Sequence, residues 1–176
     1  MQLLHTHYFK MWMFVIVGLL MLTAPVVAQE SDTTEPLALS EQLLVLEFST
    51  QNASEPTFDM LNDGRAVFAI TASGPVAGDL EGTLTLNVNQ VVNIPETPLD
   101  TLAVTFTIET ADGRIEGYYT GSLFGTAGGS ALTSNGSGQI LSVTGVYADL
   151  FLADVFLTGQ ITPDTGSTET MIISPR

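Results

Sequence analysis

Thr101-Leu-Ala-Val-Thr-Phe-Thr-Ile-Glu109, the turn Thr110-Ala-Asp-Gly-Arg114 and the return through Ile115-Glu-Gly-Tyr-Tyr-Thr-Gly-Ser-Leu-Phe124 decide how this chain is read. In the first segment Leu102, Val104, Phe106 and Ile108 share one face, and Thr101, Ala103, Thr105, Thr107 and Glu109 share the other. A period of two is the signature of a strand with one buried face. Asp112 and Gly113 stand where the chain must reverse, and glycine accepts the positive φ of a tight hairpin. On the return, Ile115, Gly117, Tyr119, Gly121 and Leu123 fall together, with Arg114, Glu116 and Tyr118 opposite.

The same period extends in both directions. Upstream, Glu41 to Ser49 places Leu44, Leu46 and Phe48 on one face and Leu43, Val45 and Glu47 on the other. Asn62-Asp-Gly-Arg65 repeats the Asp-Gly-Arg turn, and Ala66 to Ala72 alternates again until Ser73-Gly-Pro-Val-Ala-Gly78, where a bend is expected. Asp79 to Ile94 carries the longest clean alternation, with Leu80, Gly82, Leu84, Leu86 and Val88 on one side. Asn93 to Asp100 holds Pro95 and Pro98 and reads as a loop, because proline cannot donate to a central ladder. Downstream, a Gly/Ser-rich crossing precedes β-like segments over Ile140 to Tyr147 and Leu150 to Ile161. Met171-Ile-Ile173 fits either a last strand that closes the sheet or a tail. These segments make an all-β chain: a single antiparallel β-barrel of about eight strands, with a β-sandwich as the alternative. Gly117 and Gly121, on either side of Tyr119, argue for the barrel, because interior glycines permit the tight coiling that closing a small barrel requires.

The N-terminus has a different character. Met11 to Thr23 is almost wholly apolar, and Val26 and Ala28 are small residues at the positions a signal peptidase inspects. Residues 1–28 are therefore expected to be a signal peptide, helical and cleaved after Ala28, with export to the periplasm or the extracellular space. Residues 29–40, polar, acidic and holding Pro36, read as a flexible linker, and residues 41–176 as the barrel domain. Loss of the leader removes His5, His7, Lys10 and Trp12, leaving a chain without His, Cys, Lys or Trp. A secreted domain without disulfides fits a bacterial exporter and must rely on its core and its ladder.

That inventory excludes chemistry. Ser-His-Asp and Cys-His catalysis, histidine-rich zinc sites and Schiff-base lysines are all ruled out for the processed chain. The full chain has 4 Lys+Arg against 19 Asp+Glu, a formal charge of −15. A surface that acidic repels phosphate backbones and anionic headgroups, so neither nucleic acid nor a stable membrane association is expected after cleavage. No metal or cofactor is expected; Asp164-Thr-Gly-Ser-Thr-Glu169 offers oxygens but lacks the acidic spacing of a calcium loop.

Carboxylates, tyrosine and arginine remain. Glu116 and Tyr119 are the candidate catalytic residues. Turned into an apolar barrel, Glu116 would have a raised pKa suited to acid/base work; on the outer face it would pair with Arg114. Tyr119 would line the interior, filling it or bordering a space. Arg114, Asp149 and Asp154 are the candidate ligand-binding residues, the two aspartates because they interrupt the apolar run Val146 to Leu157.

Ser73-Gly-Pro-Val-Ala-Gly-Asp-Leu-Glu-Gly-Thr83, Asp112-Gly-Arg-Ile-Glu-Gly-Tyr-Tyr-Thr-Gly121 and Asn135-Gly-Ser-Gly-Gln-Ile-Leu-Ser-Val-Thr-Gly145 resemble the Gly-rich segments of secreted bacterial proteins related to the allene oxide cyclase and dirigent barrels. The resemblance covers roughly Phe68 to Ile161. It implies an eight-stranded antiparallel barrel with an apolar interior, in a family whose enzymes cyclise or steer reactive hydrophobic intermediates. No catalytic residue of those enzymes maps onto a position here. The expectation is therefore a secreted, soluble, non-catalytic barrel that holds a small hydrophobic ligand or serves as a surface or matrix module. A cyclase-like or dirigent-like isomerase using a buried carboxylate or tyrosine is the alternative, and a self-associating adhesive protein a third.

Overall fold

A computed structural model describes residue 39, residues 42–92, 99–125, 131–162 and 166–176. Residues 1–28, expected to be a signal peptide, and most of the expected linker over 29–40 lie outside the described residues. The rest is almost entirely strand: β1 (Leu44–Asn52), β2 (Thr57–Met60), β3 (Ala66–Gly78), β4 (Gly82–Val92), β5 (Leu99–Thr110), β6 (Gly113–Gly125), β7 (Leu132–Val143), β8 (Asp154–Thr162) and β9 (Gly166–Ser174).

Eight of these strands close on themselves. The order β1-β9-β8-β7-β6-β5-β4-β3 is antiparallel throughout, and β1 returns to pair with β3, through Leu46↔Gly78, Phe48↔Val76 and Gln51↔Ser73. That closing ladder makes the barrel and excludes the sandwich. β2 is the extra strand: it pairs with the first residues of β3, Thr57↔Ala69 to Met60↔Ala66, beyond the point where β1 departs. Met171 to Ile173 belongs to β9, which lies between β8 and β1 and completes the ring, Met171 opposite Leu46 and Leu157.

Inward positions follow the alternation read from the sequence. Leu44, Leu46 and Phe48 of β1, Leu84 and Leu86 of β4, Leu102, Val104, Phe106 and Ile108 of β5, and Ile115 and Tyr119 of β6 are buried. Thr83, Thr101, Thr105 and Glu109 face outward and are exposed. The hairpin at Asp112 forms as expected, with β5 and β6 in register from Leu99↔Phe124 to Thr110↔Gly113.

Two segments differ from the sequence reading. The Ser73–Gly78 stretch does not bend out of the sheet; β3 runs through it, with Pro75 opposite Thr83. On its other side, pairing with β1 lapses between Phe48↔Val76 and Gln51↔Ser73, so the donor that Pro75 lacks falls where no ladder bond is made. The later part of the Gly/Ser-rich crossing is also strand: Leu132 to Val143 pairs with β6 on one side and β8 on the other, and 126–130 lie outside the described residues. The strand expected over Ile140 to Tyr147 ends earlier, at Val143, because Gly145, with a φ of +68°, turns the chain into a 3₁₀ helix over Gly145–Leu150. Tyr147 and Leu150 of that helix are buried, and the Tyr147 hydroxyl meets Thr110 Oγ1 at 2.7 Å, so the helix plugs one end of the barrel.

Candidate functional site

Eight strands enclose an interior just wide enough to be filled by side chains or to hold one small ligand. This barrel is filled at one end and hollow at the other. The plugged end is solid: Leu44, Leu84, Ile108, Ile115, Ile140, Val155 and Ile173 are buried in one cluster with Tyr147 and Leu150. Toward the other end, where β4, β6 and β8 finish and β5, β7 and β9 begin, the interior opens into a cavity of about 270 Å³. Small-molecule sites run from about 300 Å³ upward, so the space suits a ligand at the small end of that range.

Strand register places the cavity walls. Phe68 and Ile70 of β3, Val88 of β4, Leu102 and Val104 of β5, Leu123 of β6, Leu132 of β7 and Ile161 of β8 supply an apolar lining. Thr50 of β1 and Ser167 and Glu169 of β9 form a polar seam in the wall, with Tyr119 of β6 also lining the space and Asn52, Gln90 and Thr162 as its other polar residues. Thr50 Oγ1 and Ser167 Oγ are 2.8 Å apart, and the Ser134 hydroxyl of β7 donates to Glu169 Oε1. Glu169 is only 4% exposed.

Glycines make room for this seam. A Cβ at Gly159, opposite Glu169 in the β8–β9 ladder, would come within 2.5 Å of Glu169 Cγ, and one at Gly136 within 2.9 Å of Tyr119 Cδ2. Neither is one of the two glycines flanking Tyr119 along its own strand. The room beside Gly117 is taken by the Phe106 ring, whose Cζ would lie 2.5 Å from an added Cβ, and Gly121 backs onto the main chain of Asn135.

Burial dominates the electrostatics. It raises the Glu169 carboxyl above its ordinary pKa, against the opposing pull of hydrogen bonds from Ser134 and Ser167. The Tyr119 hydroxyl is held well above its ordinary value by burial first and by the negative charge of Glu169 second. Arg65, Arg114 and Arg176 are absent from the cavity: Arg65 pairs with Asp63, Arg114 with Glu116 and Glu109, and Arg176 with Asp154.

The five residues singled out in the sequence do not come together. Tyr119 lines the cavity. Glu116 stands on the outer face of β6, paired with Arg114, whose side chain is half exposed. Asp154 is on the outer face of β8, held by Arg176 at 2.6 Å and by Gln139. Asp149 is exposed on the 3₁₀ helix. Glu169 is the residue that the sequence reading did not single out, since it figured there only as the end of an oxygen-rich stretch. The signal was present: a step of two carried back from Ile173 and Met171 lands on Glu169 and then Ser167. Among the described residues no group of three or more His, Cys, Asp or Glu could hold a metal ion.

No family model, no curated protein and no solved structure matches this chain.

Proposed function

We propose that this protein is a secreted, water-soluble carrier or sequestering barrel that holds one small, mainly apolar molecule in the open half of its interior. The cavity of about 270 Å³, walled by Phe68, Ile70, Val88, Leu102 and Val104, is the observation that carries this reading. An apolar space of that size is costly to leave in a core that could have been filled, because packing the inside of a domain with side chains gains dispersion and excludes water. The outer faces support a barrel in water. Thr83, Asn87, Asn89, Thr101 and Thr105 point outward from β4 and β5, the inverse of a transmembrane barrel, whose apolar residues face out.

Native mass spectrometry of the protein purified from its own host tests the reading. The expected result is a bound species of constant mass that organic extraction removes and that Val88→Phe abolishes. A wild-type barrel that neither carries a molecule nor takes up any apolar probe would overturn it.

A second reading, a cyclase-like or dirigent-like isomerase as the resemblance implies, draws support from one feature. Glu169 and Tyr119 place a carboxyl and a phenol beside an apolar space, both with pKa values moved by burial. A protonated carboxyl there could deliver a proton to a hydrophobic substrate and take it back. Turnover of a labile epoxide or quinone methide that disappears in both Glu169→Gln and Tyr119→Phe would favour this reading over a carrier.

A further inference from the structure

We infer that the cavity selects an amphiphilic amine: a ligand with one ammonium group, seated against Glu169, and a hydrocarbon body of roughly eight to ten carbons along the apolar wall. The inference rests on the ligand-holding reading above and narrows it to a chemical class. It starts from a mismatch of charge. Glu169 is almost wholly buried, lines the cavity, and among the described residues is bonded by neutral hydroxyls, those of Ser134 and Ser167. A carboxylate removed from water is expensive unless a cation or a metal accompanies it. Among the described residues no cation enters that space, since Arg65, Arg114 and Arg176 form ion pairs on exposed positions. A cation supplied by the ligand would complete the site.

Geometry says where the head group goes. The lining ends inward at Ala72, Leu86, Val104, Tyr119 and Glu169, above the solid core of Phe48, Leu84, Phe106 and Met171. Glu169 is thus at the deep end, its side chain seated over Gly159 and the Tyr119 ring over Gly136, where an added Cβ would collide with them. An ammonium at that level can donate to the carboxylate and to the Ser167 oxygen, with Tyr119 also lining the space. The tail then runs outward between Ile70, Val88 and Leu123.

The whole-molecule field agrees. With 19 acidic against 4 basic residues, the chain concentrates cations near its surface and repels anions, so fatty carboxylates and phosphate esters are disfavoured before they reach the mouth. At the mouth Asp100, hydrogen-bonded by Gln90 at 2.7 Å, adds a second carboxylate on the inward register of β5. The titratable groups facing the proposed ammonium are therefore Glu169 from β9 and Tyr119 from β6, with Asp100 from β5 farther out.

Calorimetric titration of the full-length exported protein with octylamine, 1-octanol and octanoate at neutral pH tests the inference. Octylamine should bind at least tenfold more tightly than octanol, and octanoate should give no detectable heat of binding. In Glu169→Gln, a near-isosteric change, the amine preference should fall to within about twofold of octanol while octanol affinity is kept. Octylamine affinity in the wild type should also weaken as acidification protonates Glu169, and octanol affinity should not. Equal binding of amine and alcohol, or an amine preference that survives Glu169→Gln, would overturn the amine inference and leave the carrier reading standing. Binding of none of the three, with Val88→Phe indistinguishable from the wild type, would remove both.

Discussion

At one end of the barrel the inward positions of β1, β4, β5 and β9 are Leu44, Leu84, Ile108 and Ile173; at the other end the same strands offer Thr50, Val88, Leu102 and Ser167. Strand number and pairing are common to both ends, so the backbone alone does not set the difference. It comes from side-chain volume and from a plug. Large branched residues meet in the centre at the solid end and the 3₁₀ helix covers them with Tyr147 and Leu150, whereas smaller residues, Thr50, Ala72, Val88 and Ser167, stand inward where the barrel is hollow. One barrel thus carries its stability at one end and its candidate binding site at the other. Such a division is available because the strands are long enough, up to 13 residues, to pass through both layers.

If the solid end carries the stability, truncating it should do the most damage. Phe106 fills the room that Gly117 leaves and stacks at a tilt on Tyr119, with ring centroids 6.4 Å apart. Phe106→Ala should cost about 3–5 kcal/mol, which for a domain of this size lowers Tm by roughly 10 °C or more. Val88→Ala, which truncates a partly buried wall residue of a space already empty, should cost under about 1 kcal/mol. Denaturant titration of both variants checks the contrast, and comparable losses would dissolve it.

Glu169 sharpens the comparison in the opposite sense, because at the hollow end a residue is kept at a cost to stability. Burial raises its pKa in the folded state, so the folded chain holds that proton more tightly than the unfolded chain does. The associated stability is fully present below the unfolded pKa and is lost as pH rises through the folded value. Glu169→Gln should therefore raise Tm by a few degrees at neutral pH, and the gap should close as the pH falls below the ordinary carboxylate range. Thermal melts across that window read the effect directly; a variant less stable than the wild type at neutral pH would make Glu169 a structural partner of Ser134.

These contrasts also show what the sequence could and could not carry. The alternation of β1, β4, β5 and β6 is written in apolar residues, so their inward faces were legible, and with them a barrel of about eight strands. β7 was not, because its inward residues Ser134, Gly136 and Gly138 are small. In a sequence, small and flexible reads as a crossing; in the structure Gly136 leaves room for the Tyr119 ring and Ser134 bonds Glu169. Pro75 misled for a related reason, since a missing donor breaks a strand only where a ladder bond is due, and none is due there on the β1 side. Glu169 was hidden by its charge: a carboxylate in an alternating strand is ordinarily assigned to water. Tyr119 was legible as an inward residue but its neighbours across the barrel were not, because that information lies in β9 and β7 rather than along β6.

Filling the hollow end tests whether it is a site or a defect. Val88→Phe introduces a ring into existing space, so stability should change by under about 1 kcal/mol, in either direction, while binding of any apolar probe should fall more than tenfold. A large loss of stability would mean that the cavity wall cannot move and that the empty volume is smaller than it looks to a ring. Chemical denaturation and probe titration on the same preparation separate the two.

The smallest effect is expected where the sequence first suggested chemistry. Glu116 and Arg114 are same-face neighbours on the outer surface of β6, with side chains 37% and 48% exposed, and their ion pair is screened by water and salt. Glu116→Gln should shift stability by no more than a few tenths of a kcal/mol and leave octylamine and octanol affinity unchanged. That near-silence has content, because Glu116 and Glu169 are the same residue type on strands of one barrel and differ in which way they point. If Glu116→Gln altered binding as strongly as Glu169→Gln, the wall between inside and outside would not be the boundary that assigns these carboxylates their roles.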